Sequence, residues 1–216
     1  MNVFSTLRLA AACALTVAAA TTHAADFNFN TAPFAGVDVS PPTRQIVGNE
    51  LFVGNFSMAS DRFVFDPVVF GVGSLSFFNG AAANLPSSGF NLIVLADNDN
   101  DNNAATPFNA GTAANLIAAR IDAAGPGFFI YTNQGLGMNR LVFSSDLSVA
   151  TADLKILARL TQPIGQDAIA AKADFGVQHF ALAPVPEPET YALMLTGLMA
   201  VGWAARRKGG AGRPAA

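Results

Sequence analysis

Cysteine is almost missing from this sequence. The 216 residues hold one, Cys13, in an N-terminal segment that reads as removable. The chain beyond that segment has no thiol, which excludes a cysteine nucleophile, a thiolate metal site and a disulfide. Histidine is nearly as scarce, with His23 in the same segment and His179 far beyond it. A lone histidine without thiols cannot make a structural zinc site. No Gly-x-Ser-x-Gly elbow offers His179 a serine to activate. Charge is thin too: 12% of residues are charged, against roughly 25% in an average globular chain. Between Ala25 and Pro184, seven Lys and Arg face thirteen Asp and Glu, a net charge of −6. That sign opposes binding to phosphate backbones and excludes nucleic acid as a partner. Glu50 is the only glutamate in that stretch, so a glycosidase carboxylate pair would have to use aspartates. The length suits one domain with a proper core.

The two ends carry the clearest signals. Arg8 precedes an apolar stretch from Leu9 to Ala20, and Thr22-His23-Ala24 then offers small residues at the two positions a signal peptidase reads. The stretch is apolar all round and too short to span a bilayer. It is therefore expected to be a secretory signal peptide over residues 1–24, forming a signal helix and cut after Ala24, with Ala25 as the second choice. At the other end, Val185-Pro186-Glu187-Pro188-Glu189 leads into an apolar run at residues 190–205, followed by Arg206, Arg207 and Lys208. Prolines one residue apart cannot sit in a helix and bias their neighbours to extended backbone. The run should form a single C-terminal transmembrane helix, with Tyr191 and Trp203 at its interfaces and the basic cluster held on the cytoplasmic side of the inner membrane. Its 16 residues would reach about 24 Å, a little short of a ~30 Å hydrocarbon core.

Pro-Glu-Pro, an apolar helix and a basic cluster, in that order close to the C-terminus, resemble the PEP-CTERM sorting domain of exported Gram-negative proteins. The likeness covers residues 185–208. It implies processing by an exosortase, an integral-membrane enzyme that cuts at or near the motif. By position, Pro186, Glu187 and Pro188 would be the recognition triplet, and Arg206, Arg207 and Lys208 the membrane stop until processing. The tail at residues 209–216 is longer than the pattern needs. The same family implies release to the cell surface or extracellular matrix of a bacterium that makes extracellular polysaccharide, a candidate partner.

Residues 25–184 read as an extracytoplasmic domain rich in strands. Asp26-Phe27-Asn28-Phe29-Asn30 alternates with period 2, the mark of a half-buried strand. Similar segments recur at Leu51–Val53, Arg62–Phe65, Ser74–Phe78, Phe90–Ala96, Phe128–Thr132, Leu141–Ser145, Leu154–Leu160 and Gly176–Leu182. Gly135-Leu136-Gly137 between two apolar runs predicts a hairpin. Asn115 to Asp122 is ambiguous, and Ile164 to Lys172 suggests one short helix. The expected fold class is all-β, an antiparallel β-sandwich or jelly-roll-like ectodomain. The 18 phenylalanines, against 2 tyrosines and 1 tryptophan, suit filling between sheets better than a sugar platform.

Asp97-Asn98-Asp99-Asn100-Asp101-Asn102-Asn103 places aspartates at the one, three and five spacing of a calcium loop. Asn102 stands where that loop needs glycine, and Phe108 where it needs glutamate, so the EF-hand pattern fails. A solvated loop held by its own Asp and Asn side chains explains the run as well. His179 is expected on a surface or sheet face. No catalytic, cofactor or metal residue is assigned. The expected function is structural or interactive, without catalysis. A calcium-dependent or carbohydrate-binding adhesion module is the alternative, and a surface-polymer hydrolase ranks behind it.

Overall fold

The computed structural model describes residues 24–37, 43–103, 105–185 and 193–201. The expected signal peptide therefore lies outside the described residues except for Ala24. Ten strands and three helices occur between Ala25 and Ala183 among the described residues. In chain order they are β1 (Asp26–Phe29), β2 (Ile46–Val47), β3 (Leu51–Val53), β4 (Arg62–Phe65), α1 (Pro67–Phe70), β5 (Phe77–Gly80), β6 (Leu92–Leu95), α2 (Ala110–Ala118), β7 (Gly127–Asn133), β8 (Met138–Ser144), β9 (Leu154–Leu160), α3 (Gly165–Ala171) and β10 (Phe180–Leu182).

The strands form two sheets. A small one has the order β1-β4-β10, and a seven-stranded one has the order β2-β9-β8-β7-β6-β5, with β3 following β2 along the same edge of β9. Strand content is as expected, but the pairing is not. Only β7–β8 and β8–β9 are antiparallel, and the other described pairings are parallel. The expected antiparallel architecture is thus corrected to a mixed one. The cause is visible in β6 and β7, whose residues Leu92–Leu95 and Gly127–Thr132 are buried on both faces. Strands covered on both sides read as continuous apolar runs and suit parallel neighbours joined by crossovers. The one clear tight hairpin, β7–β8, turns at Gln134–Gly137. Gly137 donates to the Asn133 carbonyl at 2.8 Å and takes a left-handed φ of 61°, which favours glycine.

One face of the large sheet packs on the small sheet through phenylalanine. Phe65 of β4 stacks on Phe128 of β7 with ring centroids 3.9 Å apart, and Phe70 and Phe143 close around the pair edge-on and tilted. Phe63 stacks on Phe56 at 4.6 Å, with Phe175 and Phe180 alongside. On β9 the bulged Leu157 and its neighbour Ala158 both face this layer. The opposite face is covered by α2. Its Ala110, Ala113, Ala114 and Ile117 lie on Ile93, Leu95, Phe129, Tyr131 and Val142. The small alanine face lets the helix sit close to the sheet. Its start is set by a reciprocal cap: Asn109 Oδ1 accepts from the Gly111 and Thr112 amides, while Thr112 Oγ1 accepts from the Asn109 amide. Gly127 is needed for close approach, since a Cβ there would come within 2.6 Å of the Asn91 carbonyl oxygen.

β1 and β10, far apart in sequence, both flank β4 in parallel. The chain enters the small sheet beside Arg62 and leaves it beside Phe65, where Ala183 donates to the Phe65 carbonyl at 2.8 Å. Phe65→Ala is expected to cost about 3–5 kcal/mol by opening a cavity between the sheets, read as a lower midpoint in denaturant melts.

Candidate functional site

The Asp97–Asn103 run folds as a self-capping loop after β6. Asp97 Oδ2 accepts from the Ala82 amide at 2.6 Å. Asp99 Oδ1 takes the Asp101 and Asn102 amides, and Asp101 takes the Asn103 amide on Oδ1 and the Thr106 hydroxyl on Oδ2. The Asp99 and Asp101 carboxylates are turned onto the loop's own donors and Asp97 onto the Ala82 amide, and no group of three or more metal-ligating side chains assembles among the described residues. The loop's root holds a cation of a different kind. Lys172, only 2% exposed, sends its ammonium to the carbonyls of Leu95, Ala96 and Asp97 and to Asn98 Oδ1, at 2.6–3.2 Å. Burial lowers its pKa to about 8, opposed by the nearby Asp97 carboxylate. Nothing in the sequence marks this lysine, because burial of a charge has no local pattern.

His179 is not on a surface or open sheet face, as its sequence context suggested, but buried. Its Nδ1 accepts from the Gly176 amide at 3.0 Å, which leaves Nε2 to donate to the Met58 carbonyl at 2.9 Å. The edges of Phe56 and Phe175 meet its ring. With both nitrogens engaged, burial of the imidazole costs little, and neither nitrogen is free for proton transfer. Asp66 caps α1 through the Val68 and Val69 amides. Glu50 is likewise occupied, accepting at one oxygen from Arg140 (2.9 Å) and from Arg159. Its burial raises its pKa, but its own backbone amide and the two guanidinium groups outweigh that and hold it low. Arg159 also lies over the exposed ring of Phe52 at 5.0 Å.

The open feature on this edge is a cleft of about 310 Å³ between the two sheets. Phe29, Pro33, Phe70 and Leu157 line it, together with Asn28, Asn30, Asn49 and Lys155. The turn after β1 brings Asn28 and Asn30 to one side. β2, β3 and β9 bring Asn49 and Lys155 to the other. Lys155 is anchored by the Gly48 carbonyl, and partial burial lowers its pKa against the pull of Glu50. The sequence shows the asparagines but not that two distant segments share a cleft.

Past β10 the chain continues through Pro184 and Val185. Residues 193–201 are helical, with Leu193, Met194, Leu195, Leu198, Met199 and Val201 each more than half exposed. Among the described residues, no helix is long and apolar enough to cross a membrane. The flanking parts of the span expected at 190–205 lie outside them, as do Pro186, Glu187, Pro188, Arg206, Arg207 and Lys208. Comparison with protein families matches residues 184–208 to the PEP-CTERM protein-sorting motif. This chain carries a PEP-CTERM sorting motif. The matched stretch includes the Pro-Glu-Pro triplet and the basic cluster. The motif implies an exported protein processed by an exosortase and sorted to the cell surface of a Gram-negative bacterium. No curated protein and no solved structure matches the chain.

Two outcomes are expected. Lys172→Met should destabilise the fold by about 1–3 kcal/mol, because it strands buried carbonyls. For the wild type, the folded lysine releases its proton near 8 and the unfolded one nearer its ordinary value of about 10.4. The unfolded chain therefore binds more protons in that window, and stability from this group rises as pH rises through it. The gap to Lys172→Met should widen between pH 8 and pH 10 in paired thermal melts. Separately, millimolar calcium is expected to leave the melting temperature unchanged, because the loop carboxylates are already spent on amides.

Proposed function

We propose that the processed protein is a non-catalytic component of the cell surface or extracellular matrix that contacts polysaccharide through the cleft beside β1 and β9. The observation that carries this is the contrast between the two kinds of polar group. The side chains able to do acid–base work that the sequence singles out, His179, Glu50 and the Asp97–Asp101 set, are tied to backbone, to a threonine hydroxyl or to arginine. The cleft, by contrast, pairs an apolar floor with the exposed amides of Asn30 and Asn49 and with Asn28, whose amide nitrogen also donates to the Asp26 carbonyl at 3.1 Å. An amide offers a donor and an acceptor side by side, which matches neighbouring sugar hydroxyls, and Lys155 adds a cation for an acidic sugar.

The C-terminal segment acts before this role begins. Its apolar helix holds the exported domain at the inner membrane, Arg206, Arg207 and Lys208 stay on the cytoplasmic side, and the exosortase cuts near Pro188. The exposed apolar side chains of residues 193–201 support a segment meant for a non-aqueous partner.

Two measurements test this. Intact mass of the protein from a strain carrying the exosortase should lack the tail beyond about Pro188, and a strain without the enzyme should keep it. The processed protein should be retained by exopolysaccharide from the same bacterium. Asn28→Ala with Asn30→Ala should weaken that retention about tenfold, the loss of one or two net hydrogen bonds. An uncut C-terminus in the presence of the enzyme, or cleavage of the polymer by the purified protein, would overturn the proposal.

A further inference from the structure

Asp61 is the one buried carboxylate of the small sheet, 5% exposed. It lies at the end of the loop leading into β4. Its Oδ1 accepts from the Ala25 amide at 3.0 Å and from the Ser60 hydroxyl at 3.1 Å, and its Oδ2 accepts from the Ser57 amide at 2.9 Å. All of these donors are neutral. The nearest cation in sequence, Arg62, is already committed to Asp26, with Nε and Nη2 each 2.9 Å from a carboxylate oxygen. Among the described residues, no cation pairs with Asp61. A buried charge without a counter-charge is expensive, and proteins seldom keep one unpaired. Among the described residues the charge is held by these neutral donors alone. Burial raises the pKa of Asp61, but the donors outweigh it and keep the value below that of an ordinary carboxylate. A cation arriving at this place would add to a site already built for the charged form.

Signal cleavage would supply it. Ala24 is exposed, and among the described residues Ala25 is the first that the fold holds. The Ala25 nitrogen is on Asp61, and its carbonyl accepts from the Arg62 amide at 2.9 Å. Hydrolysis of the Ala24–Ala25 peptide bond turns that amide N–H into an α-ammonium with three donors and a full positive charge. It would already stand at hydrogen-bond distance from Oδ1. We infer that Asp61 is a receptor for the α-amino group created at Ala25, so that leader removal completes an ion pair that closes the N-terminal end of the small sheet. Cleavage one residue later, after Ala25, would remove the nitrogen that Asp61 holds and would leave the new amine on Asp26, whose carboxylate is already paired with Arg62. Of the two cut positions that the sequence leaves open, only the one after Ala24 puts the new amine on Asp61. The inference rests on export, because only a processed chain has a free amine at Ala25.

The test uses the protein exported by a strain lacking the exosortase, which keeps its C-terminal segment, purified in detergent. N-terminal sequencing is expected to begin at Ala25. Acylation of the α-amine near neutral pH should be several-fold slower in the native protein than after denaturation. Asp61→Asn, which keeps the shape and removes the charge, should lower the melting temperature of the processed protein. In a chain whose cleavage is blocked by Ala24→Leu, the same substitution should lower it much less, or raise it. A start at Asp26 or further in, an equally reactive amine in native and denatured protein, or equal shifts in the two backgrounds would overturn the receptor role while leaving export intact. A retained leader in the wild type would overturn both. If Asp61→Asn does not fold, the sequencing and the native-against-denatured labelling of the wild type decide alone.

Discussion

The dry contact between the two sheets is the constraint on which the rest of the structure depends. This domain has no disulfide and few charges, so its cohesion must come from apolar area, and phenylalanine supplies it without a polar atom to satisfy. Phe65 on Phe128 and Phe56 on Phe63 fix the spacing of the layers. That spacing in turn places the turn after β1 opposite the edge of β9. Phe29 of edge strand β1 and Phe70 reach the cleft, so its floor is the margin of the phenylalanine layer.

Against that background the sparse polar side chains act as fasteners. Asp66 starts α1, Asn109 and Thr112 start α2, His179 joins the approach to β10 with the loop before β4, and Lys172 gathers three carbonyls at the end of β6. Each sits where a loop meets a strand or a helix and would otherwise bury unpaired backbone groups.

Much of the local structure was legible from residues alone. The Phe27 and Phe29 alternation marks β1, the Gly135-Leu136-Gly137 turn marks the β7–β8 hairpin, and the segment beginning at Ile164 is helical as expected. Strand partners were not legible, because period and turn residues describe a strand's faces and ends but not its neighbour. The unbroken Leu92-Ile93-Val94-Leu95 run was the available hint that β6 is covered on both faces and sits among parallel strands. α2 begins at Ala110, earlier than the ambiguous Asn115 to Asp122 stretch suggested, since an alanine-rich turn shows little contrast between its faces. The Asn109–Thr112 cap was the overlooked signal. The sorting motif was readable because it lies in linear order. The cleft and the Asp61 pocket were not, because each joins residues that only the fold brings together.

The parallel exit of β10 has a mechanical corollary. Tension entering through the C-terminal segment pulls along the axis of β10, whose residues Phe180 to Leu182 lie in register beside Phe63 to Phe65. Such a load slides one strand past its neighbour, so the backbone bonds must fail together instead of peeling away one after another.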